Sequence, residues 1–369
     1  MNFLNIHLRF RFMKHMLTIC LLLTAITLNA QRHYNDRILV VGGGGARGAW
    51  GAGFAKYLDS IHGGYKIVYG TSTGSLMAPL IVLGKFDKLK EAYTSVTQSD
   101  IFSKNPFKMT AQKQKLRGFN FIKRAIVKKK TIGESDNLLS LIYQFLDSAD
   151  YSKIHESKDS LEVGVSVVDF KTGKFDLKTS RNYNHQEFAT WMWASSNQPL
   201  FMSYTEIDSS YYVDGGVRQT IPLEVAVKYA LENKIEAIDV IINKPINPIL
   251  DTSYAPKSIF TGLTRLIEIW QEQIIKDNLI IGKLLAAIGR TDNVSRSGPQ
   301  AGLEINYYYF PLDLYYDYKN ELVFDKEKMK TLWAAGEKGI RDKPKGIRGE
   351  EKPLRISLDA LKLYSELKD

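Results

Sequence analysis

Short continuous apolar runs alternate along this chain with longer amphipathic stretches. Residues 37–41 and 65–69 read as strands, and their apolar runs suit positions buried on both faces of a sheet. Residues 161–169 and 174–178 read as two more strands joined around Thr172-Gly173, with further strands at 238–242 and 304–311. Helical spacing appears at 75–83, 186–194, 223–233, 259–288 and 325–335. Strands alternating with helices predict an α/β fold, a mostly parallel sheet covered on both faces.

The two ends differ from this body. Arg9, Arg11 and Lys14 precede a mostly apolar run at 16–28, and Asn29-Ala30-Gln31 follows it. Basic flank, short apolar run and small residue have the form of a secretory signal peptide, so residues 1–30 are expected to be removed on export. In a Gram-negative source the destination is then periplasm, outer membrane or beyond. Residues 31–340 read as one domain and 341–369 as a charged tail, with a short helix predicted at 358–367.

Composition narrows the class. Roughly 340 residues outside the leader, in a chain 44% hydrophobic, are enough for one large core. The sole cysteine, Cys20, lies in the leader, so no disulfide supports the fold. No repeat, zinc-ligand cluster or calcium loop is legible, and no metal or organic cofactor is expected. The net charge of +10 is concentrated in residues 101–130, which hold ten Lys or Arg and no acid. Lys104, Lys108, Lys113, Lys115, Arg117, Lys123, Arg124, Lys128, Lys129 and Lys130 interleave there with Phe102, Phe107, Phe119 and Phe121. Such a mixture suits contact with an anionic membrane surface, charges toward headgroups and rings into the interface. A solvated basic insertion is the plain alternative. Nucleic acid is not an expected partner, because no binding motif accompanies the charge.

Three glycine-rich segments carry candidate chemistry. Gly70-Thr71-Ser72-Thr73-Gly74 follows a strand and precedes a helix, the order of a nucleophile elbow, whose serine backbone is strained and whose neighbours must be small. Gly43-Gly44-Gly45-Ala46-Arg47-Gly48 also lies between strand and helix, where bare N–H groups can hold an anion. Tyr211-Tyr212-Val213-Asp214-Gly215-Gly216 reads as a short strand ending in an aspartate left exposed by two glycines. Gly43, Gly45 and Gly48 also satisfy dinucleotide-binding spacing, but that reading needs an acid after the second strand, and this strand delivers Ser72 instead. None of the six histidines sits in a motif, and an aspartate can take the serine proton directly if it is held within hydrogen-bond reach of Oγ in a partly desolvated site.

With these motifs in this order, the sequence resembles the patatin-like phospholipases over about residues 37–245; Ala194-Ser195-Ser196-Asn197-Gln198-Pro199 is a softer match. The resemblance implies a three-layer α/β/α patatin-like fold and an acyl hydrolase working through a Ser-Asp dyad. Ser72 would be the nucleophile, Asp214 the base, and residues Gly43 to Gly48 the oxyanion loop, with the amides of Gly44 and Gly45 favoured. Gly51 and Asn197-Gln198 depart from the family's usual residues and are expected to reshape the acyl pocket. A lipid or phospholipid ester is the implied substrate. A catalytically weak lipid-binding or interaction protein on this fold, or an acyltransferase or thioesterase, is the alternative.

Overall fold

The computed structural model describes residues 32–109, 114–116, 127, 129–158, 160–245, 255, 259–291, 303–318 and 320–339. Contacts divide the chain into two units, Met1–Tyr34 and Asn35–Asp369, the second of which holds the sheet and its helices. The predicted leader at 1–30, the tail at 341–369 and its helix lie outside the described residues, as do Lys113, Arg117, Phe119, Phe121, Lys123, Arg124 and Lys128 of the basic segment.

In chain order the elements are β1 (Tyr34–Val41), α1 (Gly48–His62), β2 (Gly64–Gly70), α2 (Thr73–Val82), α3 (Phe86–Thr94), α4 (Gln98–Ile101), β3 (Phe107–Met109) and β4 (Gln114–Leu116). There follow α5 (Asp136–Phe145), α6 (Ser148–His155), β5 (Glu162–Asp169), β6 (Phe175–Thr179), α7 (His185–Ser196), β7 (Thr205–Ile207) and β8 (Ser210–Asp214). The last are α8 (Leu223–Asn233), β9 (Ala237–Ile242), α9 (Ile259–Thr291), β10 (Glu304–Tyr309), α10 (Leu312–Tyr315) and α11 (Lys326–Lys338).

The sheet runs β10-β9-β1-β2-β5-β8-β7, with β6 on the other edge of β5. β10, β9 and β1 pair in parallel, as do β2 and β5, while β6, β7 and β8 enter antiparallel. The result is a mixed, mostly parallel sheet flanked by helices, a three-layer α/β/α fold. Ile38, Leu39, Val40 and Val41 are all fully buried because β1 is central and covered on both sides. Alternate residues of the strands serve alternate faces. Ile38, Val40, Ile238, Val240 and Ile242 pack with α8 and with Ile275 and Leu279 of α9. On the other face Phe54 of α1 meets Tyr308 of β10, and Trp50 meets Phe310. A Cβ at Gly53 would come within 2.4 Å of the Trp333 carbonyl in α11, so bare glycine lets these two helices approach.

Register at β5 matters most for function. β2 pairs with the first half of β5, ending Gly70↔Val165, while β8 pairs with its last residues, ending Val167↔Asp214. β6 spans both stretches on the opposite edge, so β2 and β8 lie on one edge and meet end to end. Their tips are two β5 residues apart, about 7 Å at strand rise. Two segments distant in sequence are thus delivered to one place by a single ruler strand.

Two rings of the basic segment differ from their expected place. Phe102 and Phe107 are buried, Phe107 stacking on Phe201 and Phe102 meeting Phe324, so these two rings are core residues and do not enter an interface. Lys104 pairs with Glu134 at 2.8 Å, and Lys130 lies against the Tyr211 ring.

Candidate active site

Ser72 stands between β2 and α2 with φ 55° and ψ −123°, a conformation that a non-glycine residue adopts only when its surroundings hold it there. The flanking glycines explain how. A Cβ on Gly70 would lie 2.3 Å from the Gly74 carbonyl group, and one on Gly74 would lie 2.2 Å from the Val41 oxygen of β1. Only hydrogen at both sites lets the turn close and α2 dock on the sheet. The neighbouring hydroxyls are tied away: Thr71 Oγ1 is 2.6 Å from Ser166 Oγ on β5, and Thr73 Oγ1 is 2.7 Å from the Tyr93 hydroxyl of α3. Ser72 N–H donates to Ser195 Oγ at 3.1 Å. Its own hydroxyl lies close enough to the Asp214 carboxylate to favour the charged form of that group, and both line the same cavity.

Asp214 is buried, which corrects the expectation that its glycines leave it exposed. Those glycines act sterically instead, since a Cβ on Gly215 would lie 2.2 Å from Ser166 Oγ. The Asp214 N–H donates to the Asn197 carbonyl, and its Oδ1 accepts the Gly216 N–H at 2.7 Å. Burial pushes its pKa from the ordinary 3.8 up to about 7; the nearby Ser72 hydroxyl and the Gly216 N–H pull it back, and the charge of Glu321 adds a smaller upward push. A carboxylate so placed is a stronger base than one in water.

The glycine loop closes over this pair. Gly42 N–H donates to Ile241, Gly43 to Thr220, Ala46 to Glu321, Arg47 to Gly44, and Gly48 to Gly45 and Ala46. Among the described hydrogen bonds, only the Gly44 and Gly45 amides of this loop lack a carbonyl partner. A Cβ on Gly44 would strike Asn243, and one on Gly45, at φ +54°, would lie 2.1 Å from the Glu321 oxygen. Arg47 is 2% exposed and anchors the loop, with Nε on the Asn243 carbonyl at 2.8 Å and an ion pair to Glu321 at 2.7 Å.

A family model for patatin-like phospholipases matches residues 39–227, from β1 into α8. The chain belongs to the patatin-like phospholipase family. At family level this is a lipid acyl hydrolase. Among solved structures, VipD from Legionella pneumophila is similar with a TM-score of 0.34 and 10% identity, over 81% of this chain and 67% of that chain. No curated protein matches.

In this patatin-like phospholipase, Ser72, Asp214 and the loop Gly43 to Gly45 line one cavity of about 340 Å³. A smaller apolar cavity of about 70 Å³ shares Thr73, Leu76, Ile101, Leu138 and Phe324 with it and continues toward Leu80 and Phe145. Of the two departures from the family pattern, Gln198 lines the main cavity whereas Gly51 does not. A Cβ on Gly51 would lie 2.4 Å from Asn243 Oδ1, so its smallness serves the packing of α1 on β9. His155 bonds the Ser180 carbonyl and His185 the Leu146 carbonyl; neither lines the cavity.

Ser166, which no motif announces, and Ser195 of the softer match brace the elbow. Several wall residues have no motif either. Lys244 follows β9, Ile267, Trp270 and Ile274 come from α9, and Glu321 from the segment before α11. All of these except the two serines lie beyond the span matched by the family model.

Proposed function

We propose that this protein is an exported serine acyl hydrolase that cleaves carboxylic esters of phospholipids or other lipids through a Ser72–Asp214 dyad. Ser72 Oγ attacks the ester carbonyl while Asp214 takes the hydroxyl proton, and the amides of Gly44 and Gly45 bind the oxyanion. Collapse of the tetrahedral intermediate expels the alcohol, which takes the proton from Asp214 and leaves an acyl-Ser72. Asp214 then accepts a proton from water as the water attacks the acyl-enzyme, and collapse of the second tetrahedral intermediate breaks the acyl–Oγ bond, returns that proton to Ser72 and releases the fatty acid.

The observation that carries this reading is the placing of a strained Ser72 and a buried carboxylate, its pKa raised to about 7, on one cavity. The apolar lining favours acyl chains over polar esters. Contact with a membrane is supported less by the basic segment than by the cavity mouth, where Phe170, Leu200, Val217 and Trp270 are 39–57% exposed. Phe170 sits at the β5–β6 turn beside Lys171 and Lys174, a mixture suited to an anionic lipid surface. Export rests on the leader-like residues 1–30.

A fluorophosphonate probe is expected to label the wild type and not Ser72→Ala, and lipid products released from mixed bacterial phospholipids should appear only with the wild type. Equal labelling of Ser72→Ala would remove Ser72 from its assigned role.

A further inference from the structure

The cavity wall built from residues beyond the matched span carries one cation among its described lining residues, Lys244. It lies two residues past β9, at the carboxyl end of a sheet strand, where open α/β sheets present their ligand-binding loops. Its Nζ donates to Gln271 Oε1 of α9 at 2.8 Å, a neutral partner. Glu321, an acid of the same wall, is engaged elsewhere: one carboxylate oxygen pairs with Arg47 at 2.7 Å, and the other accepts from Gln271 Nε2 at 3.4 Å. Gln271 therefore spaces the ammonium from the carboxylate, and no described carboxylate lies within ion-pairing distance of Lys244.

An ammonium has three donors, and one neutral acceptor leaves capacity directed at the cavity that also holds Ser72. Burial lowers the Lys244 pKa from the ordinary lysine value and the charge of Arg47 adds to that, while Glu321 and, more weakly, Glu268 and Glu272 oppose it. A desolvated cation with spare donors favours an incoming anion, and charge-assisted bonds to phosphate oxygens are among the stronger ones. The surrounding lining from α9, Ile267, Trp270 and Ile274, is apolar, so the anion this wall accepts arrives attached to an apolar body.

We propose that Lys244 is the headgroup-phosphate subsite of the cavity, binding the phosphodiester of a glycerophospholipid whose scissile ester lies at Ser72. The glycerol backbone separates ester and phosphate by only a few bonds, so one lipid molecule engages both groups. This deepens the acyl-hydrolase reading and rests on it for the orientation of the lipid. It selects phospholipids over diacylglycerols that carry the same acyl chains.

Binding without turnover tests the subsite separately from catalysis. In the Ser72→Ala protein, intrinsic tryptophan fluorescence, to which Trp270 in the wall contributes, is titrated with monomeric dihexanoylphosphatidylcholine and with dihexanoylglycerol. The phospholipid is expected to bind at least about tenfold more tightly, the scale of one charge-assisted contact. Adding Lys244→Met should remove that preference, while Lys244→Arg should keep most of it. A preference that survives Lys244→Met, or no preference in Ser72→Ala, overturns the proposal. Inorganic phosphate is the control: saturable binding of phosphate through Lys244 without any phospholipid preference would assign the residue to a free anion and likewise overturn it. Absence of ester hydrolysis by the wild type would strike the dyad reading and leave these binding outcomes to decide the subsite.

Discussion

Replacing Asp214 with Asn should make the protein more stable and far less active, and pH should separate the two effects. Wild-type Asp214 has a pKa of about 7 in the fold against 3.8 ordinarily, a gap of about 4 kcal/mol between its protonation states. Between these two values the folded protein holds a proton that the unfolded chain releases, so wild-type stability must fall as pH rises through this window. The Asp214→Asn variant would carry no such proton at this position, yet its side-chain amide oxygen can still accept the Gly216 N–H. Working the linkage between about pH 5 and about pH 8, the wild type should lose about 3 kcal/mol more than Asp214→Asn. Urea unfolding of both proteins at the two pH values measures this difference, since contributions from shape and unchanged groups cancel. Ester hydrolysis should fall at least ~10²-fold in the variant, the scale of a lost general base. Wild-type hydrolysis should rise with pH to half its maximum near about 7 as Asp214 ionises. Parallel stability profiles for the two proteins would refute the buried, proton-holding aspartate, and near-wild-type turnover would refute its role as base.

Three further outcomes follow from named contacts. Gly74→Ala drives a Cβ to 2.2 Å from the Val41 oxygen of the central strand, so a loss of at least ~2 kcal/mol in urea unfolding, together with loss of fluorophosphonate labelling, is expected; wild-type values for both would contradict the close approach. Arg47→Met strips Glu321 of its ion-pair partner and the loop of its anchor, which should cost about 3 kcal/mol, and Arg47→Lys should recover little because the fork to Asn243 and Glu321 is lost; full recovery by Lys would mean that charge alone matters. Phe170→Asp should weaken binding to phosphatidylglycerol vesicles by about tenfold, more than neutralising Lys129 and Lys130 does, as flotation can measure; the reverse order would return the docking role to the basic segment.

Much of the fold is legible in the sequence for a simple reason: strands buried on both faces, such as 38–41 and 237–242, must be continuously apolar or nearly so. Helix α9 and strand β10 are legible for the same kind of reason. The three-residue strands β3 and β4 are not, because so short a segment has no period to read. Phe102 and Phe107 mislead because aromatic residues among lysines look interfacial. Their burial depends on Phe201 and Phe324, which are distant in sequence. Lys244, Trp270 and Glu321 escape notice because each stands in an ordinary stretch and acquires meaning only as part of a shared wall.

The site divides along the same line between local and non-local causes. Gly70, Ser72 and Gly74 are readable because an elbow is a local device, and its steric demands fall on residues two apart. Asp214-Gly215-Gly216 is readable as a candidate base, but its local form is a turn, and a turn implies exposure. What buries the aspartate is the antiparallel entry of β8 beside the last residues of β5, end to end with β2. A slip of β8 by one residue would turn Asp214 to the opposite face of the sheet. Ser166 opposes such a slip from both directions, for its hydroxyl holds Thr71 of the elbow while the same oxygen leaves no room for a side chain at position 215. One ordinary serine in the middle of β5 thus couples two motifs that the sequence presents more than a hundred residues apart.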